Sequence, residues 1–297
     1  MLQQQRSAWQ GWVLVLPAIS ILGLVFVYPI GRAAWLSFFA QNLGTRLQPE
    51  FVGMGNYERL LSDGRFWSSV GHTLFFTGVS VTIELALGLA IALVLDRTFR
   101  GRSLVRAIAI MPWALPTALV ALGWSWLFND SFGVVNDLLL RLGLIAEPVV
   151  WLGDPQLAMA TAIAADVWKT TSFMSILLLA GLQSIPQSLY EAHALDGASA
   201  WQSFRRITLP LLLPQMTLAV LFRAAQAFGV FDLIQVLTGG GPAGATETIA
   251  IYIYTTVMRY LDFGYGSALV VVVFLVLMSV VAVAAGLLRR FQLTEQL

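Results

Sequence analysis

Residues 72–95 read HTLFFTGVSVTIELALGLAIALVL, and Glu84 is the one Asp, Glu, Lys or Arg among them. An α-helix rises about 1.5 Å per residue, so roughly 20 apolar residues cross the ~30 Å hydrocarbon core of a bilayer. This stretch exceeds that length, whereas helices of globular proteins average only ~10–14 residues. It is therefore predicted to be a transmembrane helix.

Five other stretches meet the same length requirement, and the whole chain agrees with them in composition. The sequence is 58% hydrophobic and 11% charged, with a mean hydropathy of +0.78, whereas soluble domains are about 25% charged. We predict an all-α integral membrane protein that forms a single transmembrane domain over residues 1–297. The six predicted spans are approximately residues 11–38, 72–95, 104–128, 157–182, 209–236 and 266–288.

The first span has to be distinguished from a secretory signal peptide. Arg6 precedes an apolar stretch over residues 11–30, which is longer than the ~7–15 residues of a signal-peptide core. Further spans follow it. We therefore expect a retained transmembrane helix.

The arginines predict the orientation of the six spans. Positively charged residues in short loops stay on the cytoplasmic side, and an even number of crossings places both termini on one side. Nine arginines lie on the face that carries the termini, which is therefore predicted to be cytoplasmic: Arg6, Arg97, Arg100, Arg102, Arg106, Arg205, Arg206, Arg289 and Arg290. Five lie in the loops assigned to the opposite face: Arg46, Arg59, Arg65, Arg141 and Arg259.

Several classes of site lack the residues they need. There is no cysteine, and His72 and His193 are far apart, so we predict no metal site and no catalytic residues. The Gly-rich stretch 237–248 is not followed by Gly-Lys, because the single lysine, Lys169, follows Trp168. A Walker A motif requires that pair. A net charge of +1 without a large basic cluster predicts no nucleic-acid partner.

The loop between the fourth and fifth spans, residues 183–208, is predicted to fold into two short capped helices. Ser184 with Gln187 and Ser199 with Gln202 have the spacing of capping boxes. Asp196-Gly197 has the composition of a helix stop, since glycine adopts the left-handed conformation readily. We expect the second helix to lose its α-helical continuation near Pro210. Such a loop suits docking on a partner, and an ordinary ordered loop is the alternative.

Within this loop, Glu191-Ala192, Asp196-Gly197-Ala198 and then Ile207, Leu209 and Pro210 resemble the EAA loop of permeases from binding-protein-dependent ABC importers. The stretches FVGMGNYERLL, FNDSFGVVN, WLGDP and LTGGGP are similar to the carbohydrate branch, of the maltose and glycerol-phosphate type. The resemblance extends along nearly the whole chain. One departure is His193, where that family usually has a small residue.

The resemblance implies a mechanism and a set of partners. A solute-binding protein outside a bacterial-type inner membrane delivers the ligand, and this chain forms the pathway with a second, related permease chain as a heterodimer. Two ATPase subunits hold ATP and Mg, so no cofactor is expected in this chain, which would not be an enzyme. The loop sits in a cleft of the ATPase, where Glu191 and Ala192 contact it, Asp196 helps to cap the first helix and Gly197 makes the bend.

Ionisable residues inside spans are rare and mark candidate functional sites. Glu84 lies in span two, Asp166 and Lys169 in span four, and Arg223 and Asp232 in span five. Asp166 and Lys169 are three residues apart, so they share a helix face and can pair, and Arg223 and Gln226 share another. A solute pathway and a structural ion-pair network are both consistent with this pattern.

The resemblance favours the pathway. Positions that contact sugar in the maltose-type permease correspond here to Trp113, Thr117, Asp166, Lys169, Thr170, Arg223 and Gln226. It implies that Trp113 stacks on a sugar ring and that the polar residues bind hydroxyl groups. The mix of Asp166, Lys169 and Arg223 suits either an anionic group, such as a phosphate, or a neutral polyol held by charge-assisted hydrogen bonds. We expect a neutral sugar, glycoside or polyol, because Asp166 is near the two bases and can cancel their charge.

Three other classes of membrane protein fit the sequence less well. An ion-coupled secondary transporter is the main alternative, although six spans are few and no inverted repeat is visible in the hydropathy. A membrane enzyme lacks a recognisable catalytic motif. A purely structural subunit does not explain the polar residues of spans four and five.

Overall fold

A computed structural model describes residues 14–294, without the side chains of residues 46, 284–285 and 287–294. Residues 11–13 of the first predicted span and Arg6 lie outside this description, as do the side chains of Arg289 and Arg290. The chain divides into two compact units. One contains residues 14–64 and 253–279, and the other contains residues 65–252 and 280–294.

Long apolar helices dominate both units. Five helices in the described residues are long and apolar enough to cross a membrane, and a sixth span results if one bent helix pair counts as a single crossing. The five are α1 (Leu14–Leu36), α3 (Gly64–Asp96), α7 (Pro155–Gln183), α9 (Ala200–Phe228) and α12 (Phe263–Thr294, apolar over Phe263–Val283). The bent pair is α4 (Arg102–Ala114) with α5 (Thr117–Leu127).

The third predicted span, residues 104–128, is broken in the middle. The axes of α4 and α5 differ by 91°. Leu115 has the extended ψ of 140° at the C-cap of α4, and Pro116 follows it with a ψ of 130°. A proline disfavours helix in the residue before it and supplies no N–H for the helix ladder, so Leu115-Pro116 is the break.

The fifth predicted span, residues 209–236, is interrupted near its C-terminal end. The helix stops at Phe228, and residues Asp232–Leu237 form a separate short helix, α10. At the other end α9 starts at Ala200 and runs through Pro210 without ending there. A π-helical turn over Phe204–Thr208 precedes the proline. Such a turn is one of the ways in which a helix accommodates a proline.

Short helices complete the described structure: α2 (Gly55–Ser62), α6 (Val134–Arg141), α8 (Gln187–Leu195) and α11 (Ile249–Tyr254, followed by a π-helical turn over Thr255–Arg259). The first unit also contains an antiparallel hairpin that the sequence analysis did not predict. Its strands are β1 (Phe39–Asn42) and β2 (Arg46–Phe51). The β1 backbone packs on Gly264, where an added Cβ would lie 2.1 Å from the Phe39 carbonyl oxygen.

Three helices of the second unit meet through glycines. A Cβ at Gly88 of α3 would lie 2.7 Å from Met174 Cγ of α7. A Cβ at Gly181 of α7 would lie 2.7 Å from Leu212 Cδ1 of α9. Small residues let transmembrane helices approach closely, and close packing is what holds helices together in a bilayer. The glycines therefore set the distances at which side chains of α3, α7 and α9 meet.

The close approach at Gly88 predicts a position-specific loss of stability. Gly88→Ala should lower the thermal unfolding midpoint of the purified protein, with a cost of about 1–3 kcal/mol for overpacking. Gly78→Ala in the same helix is the matched control, because nothing lies within 4 Å of its added Cβ. The unfolding midpoint of each variant is measured in detergent, with size-exclusion chromatography as the readout of the protein that remains folded. Equal midpoints for the two variants would contradict the packing described here.

Candidate solute pathway and coupling loop

Three charged side chains from three helices meet inside the second unit. Arg223 of α9 lies between Glu84 of α3 and Asp166 of α7. Its Nε is 2.7 Å from Glu84 Oε2, and its Nη2 is 2.5 Å from Asp166 Oδ2. The exposed fractions of the side chains are 3% for Arg223, 0% for Glu84 and 9% for Asp166. We call Glu84, Asp166, Thr170 and Arg223 the buried ion cluster.

Thr170 completes the cluster with a hydroxyl group. Its Oγ1 donates either to Glu84 Oε1 at 2.8 Å or to its own helix at the Asp166 carbonyl oxygen, at 2.6 Å. Arg223 Nη2 donates to Glu84 Oε1 at 3.0 Å and reaches Thr170 Oγ1 at 3.2 Å. The Arg223 guanidinium therefore binds groups on two other helices, and the cluster fastens α3, α7 and α9 together.

The partner of Asp166 differs from the one expected from sequence spacing. Its Oδ2 binds Arg223, and no ion pair between Asp166 and Lys169 is formed among the described residues. Spacing along one helix identifies which residues share a face, but it contains no information about a side chain arriving from another helix. Arg223 reaches Asp166 from α9 and binds its carboxylate.

Lys169 lies beside the break between α4 and α5. Its Nζ is 3.5 Å from the carbonyl oxygen of Trp113, near the end of α4. Lys169 is half-buried, and the Trp113 side chain is 44% exposed. Thr117, the first residue of α5, is half-buried as well. The fold therefore places three of the predicted pathway residues around one interruption of the helix pair.

Aromatic rings extend away from Trp113. Its indole stacks on Phe173 with ring centroids 5.5 Å apart, and Phe173 contacts Phe222 at the same centroid distance. Gln226 follows Arg223 by one turn of α9 and is exposed, whereas Arg223 is buried. The predicted site residues thus separate into two groups. Asp166 and Arg223 are buried in the cluster together with the half-buried Thr170, while Thr117 and Lys169 are half-buried and Trp113 and Gln226 are exposed.

The loop over residues 183–208 forms two short helical segments. Gly197 has a left-handed φ of +75° directly after the C-cap Asp196, as a helix stop requires. Ser199 and Gln202 form the predicted capping box at the start of α9, with both reciprocal bonds present. The capping box predicted at Ser184 is wrong. Its hydroxyl donates back to the Gly181 carbonyl oxygen at 2.7 Å.

Side chains hold the two segments at a fixed angle. His193 Nδ1 lies 3.0 Å from Ser203 Oγ, and the Tyr190 and Thr208 hydroxyls are 2.9 Å apart. Glu191 and Ala192 are both exposed, as are Asp196 and Gly197. The loop is therefore braced internally and presents the predicted contact residues outward. Among the described residues, no group of three His, Asp or Glu side chains is arranged to hold a metal ion.

A family model described as the inner membrane component of binding-protein-dependent transport systems matches residues 84–292. The chain belongs to this family. The matched range contains the buried ion cluster, the broken helix pair and the braced loop. The protein is therefore a multi-pass permease of an inner membrane.

Two curated relatives match nearly the whole permease. The sulfoquinovosyl glycerol transport system permease protein of Agrobacterium fabrum is 40% identical over 297 residues, with 97% of this chain and 96% of that protein covered. The trehalose/maltose transport system permease protein of Thermococcus litoralis is 42% identical over 287 residues, with 96% of each covered.

A solved structure has the same fold over the same length. A chain of the bacterial ABC transporter involved in the import of the acidic polysaccharide alginate superposes with a TM-score of 0.85 at 26% identity. The match covers 97% of this permease and 98% of that chain. A second structure of a bacterial alginate ABC transporter, in complex with an alginate pentasaccharide-bound periplasmic protein, gives a TM-score of 0.84 at 25% identity.

Glu84 is the member of the cluster that the resemblance did not single out. In the sequence it is an isolated acid in an apolar span, and such residues mark candidate functional sites. Its partners could not be read from the span itself, because Arg223 is 139 residues away along the chain.

The cluster predicts a large difference between two arginine variants of the permease. Arg223→Gln should lower the thermal unfolding midpoint strongly, because it leaves two buried carboxylates without their cation, at a cost of about 3–5 kcal/mol. Arg141→Gln is the matched control. Its ion pair with Asp137 joins side chains that are 75% and 54% exposed, and exposed pairs contribute at most about 1 kcal/mol. Similar unfolding midpoints for both variants would contradict the ionic contacts described for the cluster.

Proposed function

We propose that this permease is a membrane subunit of an ATP-driven importer for a sugar, glycoside or polyol. The proposal rests on one observation above others. The relatives that match almost the full length of the chain are permease proteins of transport systems for sulfoquinovosyl glycerol and for trehalose/maltose. The alignments cover 96–97% of this chain and 96% of each relative, so the chain has counterparts to nearly all segments of those proteins.

The partners follow from that role. A solute-binding protein delivers the ligand from outside, a second, related permease chain completes the pathway, and two ATPase subunits hold ATP and Mg and perform the hydrolysis. The alginate transporter described with its ligand-bound periplasmic protein supports the binding-protein partner. Both termini lie in the cytoplasm, and the short loops rich in arginine support this orientation.

The braced loop is the coupling element in this proposal. Its exposed residues, Glu191, Ala192, Asp196 and Gly197, fit a cleft of the ATPase, and Glu191 pairs with an arginine there. The contacts of Tyr190 with Thr208 and of His193 with Ser203 make the two segments move as one body. Because α9 is continuous from Ala200 to Phe228, a displacement of the loop is transmitted along α9 to the level of Arg223.

The accessible residues around the helix break line the solute pathway. Trp113 offers an indole face to the C–H groups of a sugar ring, and Thr117, Lys169 and Gln226 offer donors or acceptors for hydroxyl groups. Asp166, Thr170 and Arg223 support this surface from behind, since their polar groups bind one another and Glu84. Substrate identity is then decided by the four accessible residues, while the cluster keeps α7 and α9 in register.

The experiment for the whole proposal uses the purified transporter in lipid with its binding protein. ATP hydrolysis is measured against a panel of disaccharides, glycosides, polyols and glycerol phosphates. Stimulation by one member, with ATP-dependent uptake of the same compound into vesicles, is the expected result. Uptake driven by a proton or sodium gradient without ATP would replace the proposal with the secondary transporter.

The coupling loop generates a separate prediction. Glu191→Ala removes the charge that pairs with the ATPase, and Gly197→Pro cannot adopt the φ of +75° found there, since proline is fixed near −65°. Both should reduce uptake at least about tenfold, which corresponds to ~1.4 kcal/mol of lost coupling. The permease itself should remain in the membrane.

A control variant separates coupling from folding. Gln156→Ala changes an exposed residue in the first turn of α7, distant in sequence from the loop, and should leave uptake unchanged. Immunoblots of membrane fractions and ATPase assays with the binding protein accompany each variant. Normal uptake by both Glu191→Ala and Gly197→Pro would remove the coupling role.

A further inference from the structure

We propose that Lys169 forms a subsite for an anionic group of the solute, so that the transported sugar carries a carboxylate, sulfonate or phosphate. This inference rests on the proposed function and makes its substrate class more specific. It also replaces the expectation of a neutral solute, which assumed that Asp166 would cancel the neighbouring positive charge.

The position of Lys169 makes its charge costly. It is the midpoint of the 29 residues of α7, with equal numbers of residues before and after it. At ~1.5 Å per residue, either end of the helix is about 20 Å away, so the ammonium group lies deep in the membrane. A charge at that depth costs a few kcal/mol unless it faces a partner or a wet cavity.

The nearby acids do not supply that partner. Asp166 Oδ2 and both carboxylate oxygens of Glu84 are in contact with Arg223, and no carboxylate oxygen of the described residues lies within the 4 Å ion-pair distance of Lys169 Nζ. Asp166 and the exposed Asp232 act on Lys169 only through their fields, at longer range. Asp232 stands at the start of α10 and is an exposed acid outside the cluster.

The hydrogen bonds of Lys169 are also incomplete. An ammonium group has three N–H donors. Among the described residues, its one hydrogen bond is the 3.5 Å contact with the Trp113 carbonyl oxygen, which is at the long limit for such a bond. Donors therefore remain for a ligand on the accessible side of this half-buried residue.

The helix break brings the positive end of α5 close in sequence to the carbonyl group that Lys169 contacts, which itself lies near the end of α4. α5 begins at Thr117, and the first N–H groups of a helix have no partner within it and carry the positive end of its dipole. The bonded carbonyl belongs to Trp113, four residues before Thr117. Interrupted helices of membrane transporters present such ends to bound ions and substrates. An ammonium group and a helix N-terminus at one break favour an anion over a hydroxyl group.

A binding experiment without the solute-binding protein tests this subsite, because the binding protein has its own selectivity. The purified transporter is titrated with pairs of methyl glycosides of gluco, galacto and manno configuration. The members of each pair differ at C6, which carries either a hydroxymethyl group or a carboxylate, phosphate or sulfonate group. Tryptophan fluorescence is the readout, since Trp113 is next to the proposed site. The wild-type protein should bind an anionic member about tenfold more tightly than its neutral counterpart, as expected for one charge-assisted hydrogen bond.

Three variants assign the preference to Lys169. Lys169→Gln should reduce the ratio of affinities to near one, and Lys169→Arg, which keeps the charge, should preserve most of it. Asp232→Asn removes the competing acid and should increase the ratio. Arg141→Gln, which removes a positive charge from an exposed ion pair, should leave the ratio unchanged.

The outcomes separate this inference from the proposed function. Each of three results would overturn the anion subsite. They are a wild-type affinity ratio near one, a ratio that Lys169→Gln does not alter, and no binding of any glycoside. If ATP-dependent uptake of a neutral sugar is observed in those cases, the importer proposal stands and only the substrate class is wrong. If no compound is taken up with ATP, the importer proposal itself fails.

Discussion

The ionic contact of Arg223 with Glu84 and Asp166 is the interaction on which the centre of this permease depends. In a bilayer, apolar side chains gain little by leaving lipid for protein, so helices associate through close packing and polar contacts. Gly88 and Gly181 bring α3, α7 and α9 close together. The Arg223 guanidinium then binds groups on both neighbouring helices, where an unpaired carboxylate would be strongly unfavourable. Packing and charge thus act on the same three helices.

The cluster also determines which polar residues are left for the solute. Arg223, Asp166 and Thr170 bind one another and Glu84. Lys169 is adjacent to Thr170 in sequence but faces the break between α4 and α5, where Trp113 and Thr117 lie. A span that is interrupted at Leu115-Pro116 exposes backbone groups at membrane depth, and this is tolerated where they line a cavity or are covered by protein. The break and the Lys169 ammonium group therefore lie next to each other.

A second consequence concerns energy transfer from the ATPase side. The loop residues are held by the bonds of His193 and Tyr190, and α9 continues from the loop to Arg223 without interruption. One continuous helix therefore connects the proposed docking surface with the cluster. The π-helical turn before Pro210 is what allows this continuity, since an ordinary α-helical turn would place the proline ring against the carbonyl group of residue 206.

Much of the fold was predictable because hydropathy and length report directly on membrane spans. Residues 72–95 lie inside α3, and the helix stop at Gly197 and the capping box at Ser199 followed from local rules. Tertiary contacts were not accessible in the same way. The Asp166–Arg223 contact joins residues 57 positions apart, and no helical periodicity encodes it. The loss of α-helical geometry expected near Pro210 occurs as the π-helical turn over Phe204–Thr208. The continuation of α9 beyond that turn was not predicted, because the proline rule assumes a regular α-helix. The 39–51 hairpin was missed because its polar residues resemble those of an ordinary loop.

Lys169 is proposed to face the solute pathway, whereas other residues of α7 are buried. The chain contains no cysteine, so Lys169→Cys and Ser175→Cys each introduce the single thiol of this subunit. Ser175 is on the same helix and is 1% exposed. The measurement is the labelling rate with a charged, membrane-impermeant thiol reagent on the assembled transporter. We expect rapid labelling at position 169, slowed by the transported solute, and no labelling at position 175. An unreactive cysteine at position 169, or one whose labelling the solute does not slow, would contradict it.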